Sequence, residues 1–461
     1  MIREARNRAN GQKTLPFIDI DVILCTNTSR TDIHLRNSTM KMSAHLKKIV
    51  ISCFAGNMLE WYEFAVFGFL THYISQQFFP SSNPYLATLM TYAVFATGFI
   101  MRPLGAILSG HIGDRHGRRE GLLLSIALMA LPTFAIGCLP TYEQIGIWAP
   151  CLLLILRMVQ GISLGGEFSG SVVYLIEHSP QERQGFYGSW ADMGSSIGMI
   201  AASLTSLVLS LNFTHEQMLS FGWRLPFLAG IIFGVLGYYL RRDLTETPQF
   251  RPTREKKTFG SLVSDCYRLS PRIFLASTTF LAINSAGYYF LIIYLPKQIL
   301  VDSLPPYAVT LLPLLSITAM LPATFLTACW SDKIGRAPIL TLGYLSSMIL
   351  AYPIMLITTT ATSLWPIAVV HILFAWSLGA CFGPRSAFIT QQFPTSHRYT
   401  GVSVTYNIAN ATFGGLSPII CATMANRLGA TSPTVWIIAC SVISLISIWQ
   451  ISKRDKTIVV S

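Results

Sequence analysis

GHIGDRHGRRE, residues 110–120, and ACWSDKIGRAP, residues 328–338, decide how this chain is read. Each is a short charged turn after a long apolar stretch, and each sets an acid ahead of a glycine and a basic residue. These are Asp114, Gly117 and Arg118 in the first, and Asp332, Gly335 and Arg336 in the second. SPQERQGFYGSWADMG (179–194) and FPTSHRYTGVSVTYNIA (393–409) form a second matched pair, aligned on Arg183 and Arg398. The offset from Asp114 to Asp332 is nearly the offset from Arg183 to Arg398. Two nearly equal offsets mean one unit written twice.

The repeated unit is apolar. Of 461 residues, 52% are hydrophobic and 12% charged, about half the charged share of an average soluble domain. A membrane-spanning helix needs about 20 mostly apolar residues. Twelve such stretches can be marked: 49–74, 86–112, 121–139, 146–177, 186–211, 223–240, 274–299, 307–330, 338–358, 364–391, 401–425 and 433–451. The longest internal polar segment, 241–272, separates six from six. The expected fold is an all-α membrane protein of twelve transmembrane helices in two six-helix pseudo-repeats. Its parts are a disordered cytoplasmic tail (1–46), an N-terminal half (47–240), a central cytoplasmic loop (241–272), a C-terminal half (273–452) and a cytoplasmic tail (453–461).

Twenty-seven of the 33 Lys and Arg residues fall in the segments this layout places on the inside. That asymmetry predicts both termini in the cytoplasm and a multi-pass protein of the cytoplasmic (inner) membrane. The formal charge of +12 is then topological, and no nucleic-acid partner is implied. The polar segment before Ile49 lacks the compact apolar core of a signal peptide, and Met40 or Met42 is an alternative start. Nine cysteines stand singly, without disulfide or zinc spacing.

Gly110-x-x-x-Asp114-Arg115-x-Gly117-Arg118-Arg119 resembles the loop signature of the major facilitator superfamily, and Asp332-Lys333-x-Gly335-Arg336 is similar, with Ala328 in place of the leading glycine. Charge-assisted pairs at such turns can hold one cytoplasmic conformation closed, so these ten residues are the expected cytoplasmic gate. GNMLEWYEF (56–64), FIMRPLGA (99–106), RMVQGISLGGEF (157–168), GSWADMG (188–194), GWRLPF (222–227) and LTETPQF (244–250) narrow the resemblance to the metabolite:proton symporter family. Trp190, Asp192 and FPTSHRYTG look most like its proline/glycine-betaine transporters. The resemblance implies the major facilitator fold and proton-driven uptake of a small solute by a monomer in the lipid bilayer, without a cofactor. Family members usually have Asp where this chain has Glu63. Osmosensing relatives carry a long C-terminal coiled coil and this chain stops at Ser461, so osmotic activation is not expected.

An ionised carboxylate at bilayer depth costs several kcal/mol unless paired or wet, which makes an intramembrane acid a functional candidate. Five qualify: Glu60, Glu63, Glu167, Glu177 and Asp192. Glu60 and Glu63, three apart, are neighbours on a helix surface, and two like charges that close disfavour joint ionisation. Glu63 is the expected proton-coupling acid and Glu60 the second, with Arg157 and Arg102 as counter-charges; for Glu60 a fixed helix-bridging role stays open. Glu177, near a helix end, is expected to reach water. Arg157 and Glu167 are about 15 Å apart along a helix, so each needs another partner.

The expected substrate-binding set is Arg102, Trp61, Tyr62, Glu167, Trp190, Asp192, Trp376, Arg385, Tyr406 and Asn407. Asp192 and Asn407 occupy equivalent repeat positions, at the same distance after Arg183 and Arg398. An acid facing an arginine suits a solute with separated charges, and the aromatics offer cation–π contact or plain packing. The leading expectation is symport of a zwitterion such as proline or glycine betaine; the alternative is proton symport of a dicarboxylate, 2-oxoacid or related anion. No nucleophile or metal constellation supports an enzyme. The resemblance to the superfamily also implies a symporter rather than an antiporter, because the Gly-Pro motif associated with its antiporters in the fifth span is missing: 188–203 contain no proline.

Overall fold

The computed structural model describes residues 42–80, 84–249, 264, 267, 268, 270–298 and 308–460. Most of the expected tail and the middle of the expected central loop lie outside the described residues. Ala44–Ser461 forms one compact unit. Its long helical segments are α1 (Ala44–Phe69), α2 (Pro84–Arg115), α3 (Arg118–Cys138), α4 (Trp148–His178), α5 (Gln184–Asn212) and α6 (Gly222–Arg241), followed by α7 (Pro271–Tyr294), α8 (Ala308–Ile334), α9 (Arg336–Thr360), α10 (Leu364–Thr390), α11 (Thr395–Leu428) and α12 (Pro433–Val460). No strand occurs among the described residues. Helices satisfy their own backbone hydrogen bonds, which hydrocarbon demands.

By length and composition alone, eleven of these are apolar enough to cross a membrane among the described residues. The remaining one is α1, where Lys47, Lys48, Glu60 and Glu63 dilute an otherwise apolar helix. Both charged turns close on a glycine in the left-handed region, Gly117 at φ 119° and Gly335 at φ 97°. An L side chain strains there, so the repeated glycine is a requirement of the turn between α2 and α3 and between α8 and α9.

The first six and last six helices pack alike. The helix α2 lies along α4, and α8 along α10; α3 and α9 cover the same two partners. The two sets meet where α5 packs on α8 and α10, and where α11 packs on α2 and α4. Large apolar side chains such as Ile100, Leu211, Ile349 and Trp365 cover the outside, as a lipid-facing surface requires.

Two helices depart from regularity. After Pro271–Thr279 and Ala282–Tyr289, α7 widens into a π-helical turn at Phe290–Tyr294; α11 does so at Asn410–Gly415. The turn of α11 touches the helical stretch just ahead of the turn of α7, with Ser285 donating to Asn410 Oδ1 at 3.3 Å. Such turns are frequent at functional sites. Two expected boundaries shift. Arg241, assigned to the central loop, is the buried last residue of α6, and α12 continues as helix to Val460 through the expected tail.

Candidate transport site

Between the two sets of helices lies a cavity. Trp61 of α1, Asp192 of α5, Tyr288 and Tyr289 of α7, Phe382 and Arg385 of α10, and Tyr406 and Asn410 of α11 line it, with Ser195, Ser196, Asn284 and Ser285. Asp192 and Arg385 meet directly: Arg385 Nε donates to Asp192 Oδ1 at 2.9 Å, Nη2 adds a second bond, and Ser386 Oγ donates to Oδ2 at 2.8 Å. The Arg385 guanidinium lies 3.7 Å from the Phe382 ring centroid and near Phe168 and Tyr406, which stack on one another. The site thus holds one anion and one cation, each from a different six-helix set, within aromatic walls. The sequence reading placed a solute between Asp192 and an arginine; here the two side chains bind one another.

The expected gate residues gather at one end of the bundle, the signature end. Asp114 of α2 accepts from the Tyr399 N–H at 3.3 Å, the Thr400 N–H at 3.0 Å and the Thr400 hydroxyl at 2.7 Å, at the start of α11. Reciprocally, Asp332 of α8 accepts from the Gly185 and Phe186 N–H groups at 2.7 and 2.8 Å, at the start of α5. A carboxylate at a helix N-terminus satisfies orphan donors and complements the helix dipole. Each set of six therefore caps a helix of the other. Each crossing also needs one small residue. At the first, a Cβ on Gly110 would come within 2.8 Å of Thr400; at the second, the glycine has changed sides, and a Cβ on Gly185 would come within 2.8 Å of the Ala328 carbonyl.

Arg118 reinforces the first crossing, reaching Asp114 at 2.9 Å, the Thr395 carbonyl at 2.7 Å and Glu177 at 3.4 Å. Glu177 also pairs with Arg398 at 3.1 Å. Glu177 thus joins the closure and does not reach water as expected, because α11 covers it. Glu246, beyond α6, caps α3 through the Arg118 and Arg119 N–H groups at 3.0 and 3.2 Å. Arg336 stands 4.0 Å from Asp332, while Arg115, Lys333 and Gly335 are exposed.

The acids of α1 face inward. Glu63 accepts from the Thr133 hydroxyl at 2.7 Å; Gln160 donates to Thr133 at 2.6 Å, and Arg157 donates to Gln160 at 2.8 Å. Arg157, the expected counter-charge, therefore reaches Glu63 only through two neutral side chains, and its guanidinium is held among Phe64, Phe67 and Phe95. Arg102 donates to Asn407 Oδ1 of α11 at 3.2 Å, beside Trp61. Neither oxygen of Glu60 has a hydrogen-bond partner among the described residues.

Six expected substrate residues do not line the cavity: Arg102 and Asn407, which bind one another beside Trp61, and four that lie elsewhere. Glu167 is bound by Arg241, which donates to Oε2 at 2.7 Å and also bonds Oε1. Tyr62 packs edge-on against Phe233, Trp190 packs between Phe54 and Phe186, and Trp376 is 45% exposed on the outside of α10. Residues not singled out in the sequence supply much of the site: Thr133, Asn284, Ser285, Tyr288, Tyr289 and Asn410. For Asn284, Ser285, Tyr288 and Tyr289 the signal is the polar-aromatic run NSAGYY (284–289) inside an apolar span.

Residues 53–420 match the model of the Major Facilitator Superfamily. The chain belongs to this superfamily. A protein of Staphylococcus aureus (strain COL) whose name assigns it to proline/betaine transport is 34% identical over 93% of both chains. A citrate-proton symporter of Klebsiella pneumoniae is 32% identical, covering 87% of this chain and 90% of its own. Among solved structures, the proton:xylose symporter XylE bound to 6-bromo-6-deoxy-D-glucose superposes with a TM-score of 0.73 at 16% identity, covering 89% of this chain and 96% of that one. This superfamily member is a multi-pass membrane transporter and not an enzyme.

Proposed function

We propose that the chain carries out proton-coupled symport of a small zwitterionic solute, of the proline or glycine betaine kind, by alternating access. The buried Asp192–Arg385 pair in the aromatic cavity carries this reading. A zwitterion can exchange partners with it, giving its carboxylate to the Arg385 fork and its ammonium to Asp192 and the surrounding rings. An anion would satisfy Arg385 and leave Asp192 as an unpaired buried charge. The name of the Staphylococcus aureus relative supports the same solute class.

Coupling rests on Glu63. Protonated, it is neutral and compatible with burial; ionised, it draws on the Thr133–Gln160–Arg157 relay. Arg102, held by Asn407 of the other set, couples that region to the relative position of the two halves. The signature end is the cytoplasmic end, with both termini there, and Asp114 and Asp332 hold it closed in this conformation. A single chain supplies the whole cavity, so the working unit is a monomer in the cytoplasmic membrane, driven by the proton gradient without a cofactor.

The citrate-proton relative keeps an anionic solute as the second reading, supported by Arg102 beside Trp61. Counterflow in proteoliposomes separates the two. Competition by glycine betaine and proline but not by citrate or 2-oxoglutarate is expected; the reverse pattern would transfer the assignment to organic anions.

A further inference from the structure

A second cavity lies inside the first six helices and shares no lining residue with the one around Asp192. Three carboxyl groups line it: Glu63, Glu60 and Glu167. Two of them are engaged, Glu63 by Thr133 and Glu167 by Arg241, Ser125 and Ser171. Glu60 is 3% exposed and has both oxygens without a hydrogen-bond partner among the described residues. An ionised carboxylate in that position is strongly disfavoured, whereas the neutral acid is tolerated.

Position along α1 orders the three. Glu63, Glu60 and Gly56 are spaced three and four apart, which puts them on one helix face. At the Glu63 level stands the Thr133 relay. At the Gly56 level stands the Glu167–Arg241 pair, brought so close to α1 that any Cβ on Gly56 would enter the guanidinium and the carboxylate. Glu60 lies between them. The charged and titratable groups around it are Glu63 on its own helix, Arg102 from α2, Glu167 from α4, Arg241 from α6 and Tyr406 from α11. The helix α3 contributes Ser125, and the one charge of α5, Asp192, is engaged by Arg385.

Resting on the symport reading above, we propose that this cavity is a proton passage separate from the solute pathway, with Glu60 as its middle station. The neutral Glu60 first passes its carboxyl proton to the Glu167 carboxylate, on the side of the signature end. The Glu60 carboxylate so formed takes the carboxyl proton of Glu63, leaving Glu63 ionised and accepting from Thr133. Glu167 loosens its pair with Arg241 while it holds the proton and re-forms it on release to water. The solute leaves between the two halves, and the proton leaves through the interior of one of them.

Proteoliposomes containing a trapped pH dye test this with radiolabelled glycine betaine as the probe, recording counterflow and solute-coupled proton flux on the same preparation. For Glu60→Gln, the proton flux relative to that variant's own counterflow is expected to fall about tenfold or more, with partial recovery in Glu60→Asp. Ser163→Leu, which fills the cavity from α4, is expected to give the same split and decides the matter if Glu60→Gln does not reconstitute. A loss of both activities in equal proportion, or an unchanged ratio in both variants, would overturn the passage. A wild-type protein with counterflow but no coupled proton flux would instead overturn the symport reading on which it rests.

Discussion

Asp114 and Asp332, the matching acids of the two charged turns, each cap the first turn of a helix belonging to the other six-helix set. The crossing is reciprocal, so the signature end is closed by two equivalent contacts rather than one. An Asn at either position keeps one acceptor but loses the charge that complements the helix dipole, an effect of about 0.3–1 kcal/mol at one terminus, with charge-assisted bonds adding to it. Asp114→Asn is expected to raise the reactivity of a cysteine introduced at a signature-end position buried in the closed conformation, such as Thr390, and the double variant with Asp332→Asn to raise it further. Thiol-labelling rates in membranes measure this; unchanged rates in the double variant would contradict the gating role.

Asp192→Asn leaves Arg385 as a buried cation without its partner. Losing one member of such a pair costs about 3–5 kcal/mol. The variant is therefore expected to lose thermal stability in detergent and to bind glycine betaine at least about a hundredfold more weakly, by scintillation proximity or calorimetry. The charge exchange Asp192→Arg with Arg385→Asp should recover stability better than either change alone. Failure of the double change to recover any stability would mean that the pair is not the interaction being lost.

Aromatic positions divide by which way they face. Tyr406→Ala and Trp61→Ala remove cavity walls and are expected to weaken solute binding about tenfold or more, in the range of a desolvated cation–π contact. Trp376→Ala changes an outward-facing ring and should leave the dissociation constant unchanged. A Trp376 variant that bound solute as poorly as the Tyr406 variant would place the site elsewhere.

Glu63→Gln fixes α1 in the equivalent of its protonated state. Solute accumulation driven by an imposed pH gradient is expected to fall at least about tenfold per pH unit, the free energy carried by one proton, while exchange of pre-loaded solute persists in part. Accumulation at the wild-type level would remove Glu63 from the coupling role.

How much of the fold is legible in the sequence follows from how much each signal repeats. Apolar stretches long enough to span a bilayer and a charged turn written twice locate helices and their duplication, and the intramembrane acids mark themselves by cost. Which partner each acid takes depends on the rotation and tilt of helices, which composition does not encode. Arg241 illustrates this: next to Arg242 and a polar run it looks like a loop charge, yet it is buried against Glu167, 74 residues away. Trp61 and Tyr62 are adjacent, so they point about 100° apart on α1, and only Trp61 lines the cavity. Thr133 and Gln160, which carry the relay from Arg157 to Glu63, are residue types too common in membrane helices to stand out.

The coupling of solute to protons is tested most directly by the accumulation of labelled glycine betaine in proteoliposomes under an imposed pH gradient, followed by an ionophore that collapses both gradient and voltage. The account predicts an internal concentration above that of the bath while the gradient lasts and equality after its collapse. Equal rates and equal final levels with and without the gradient would contradict it and leave a passive carrier.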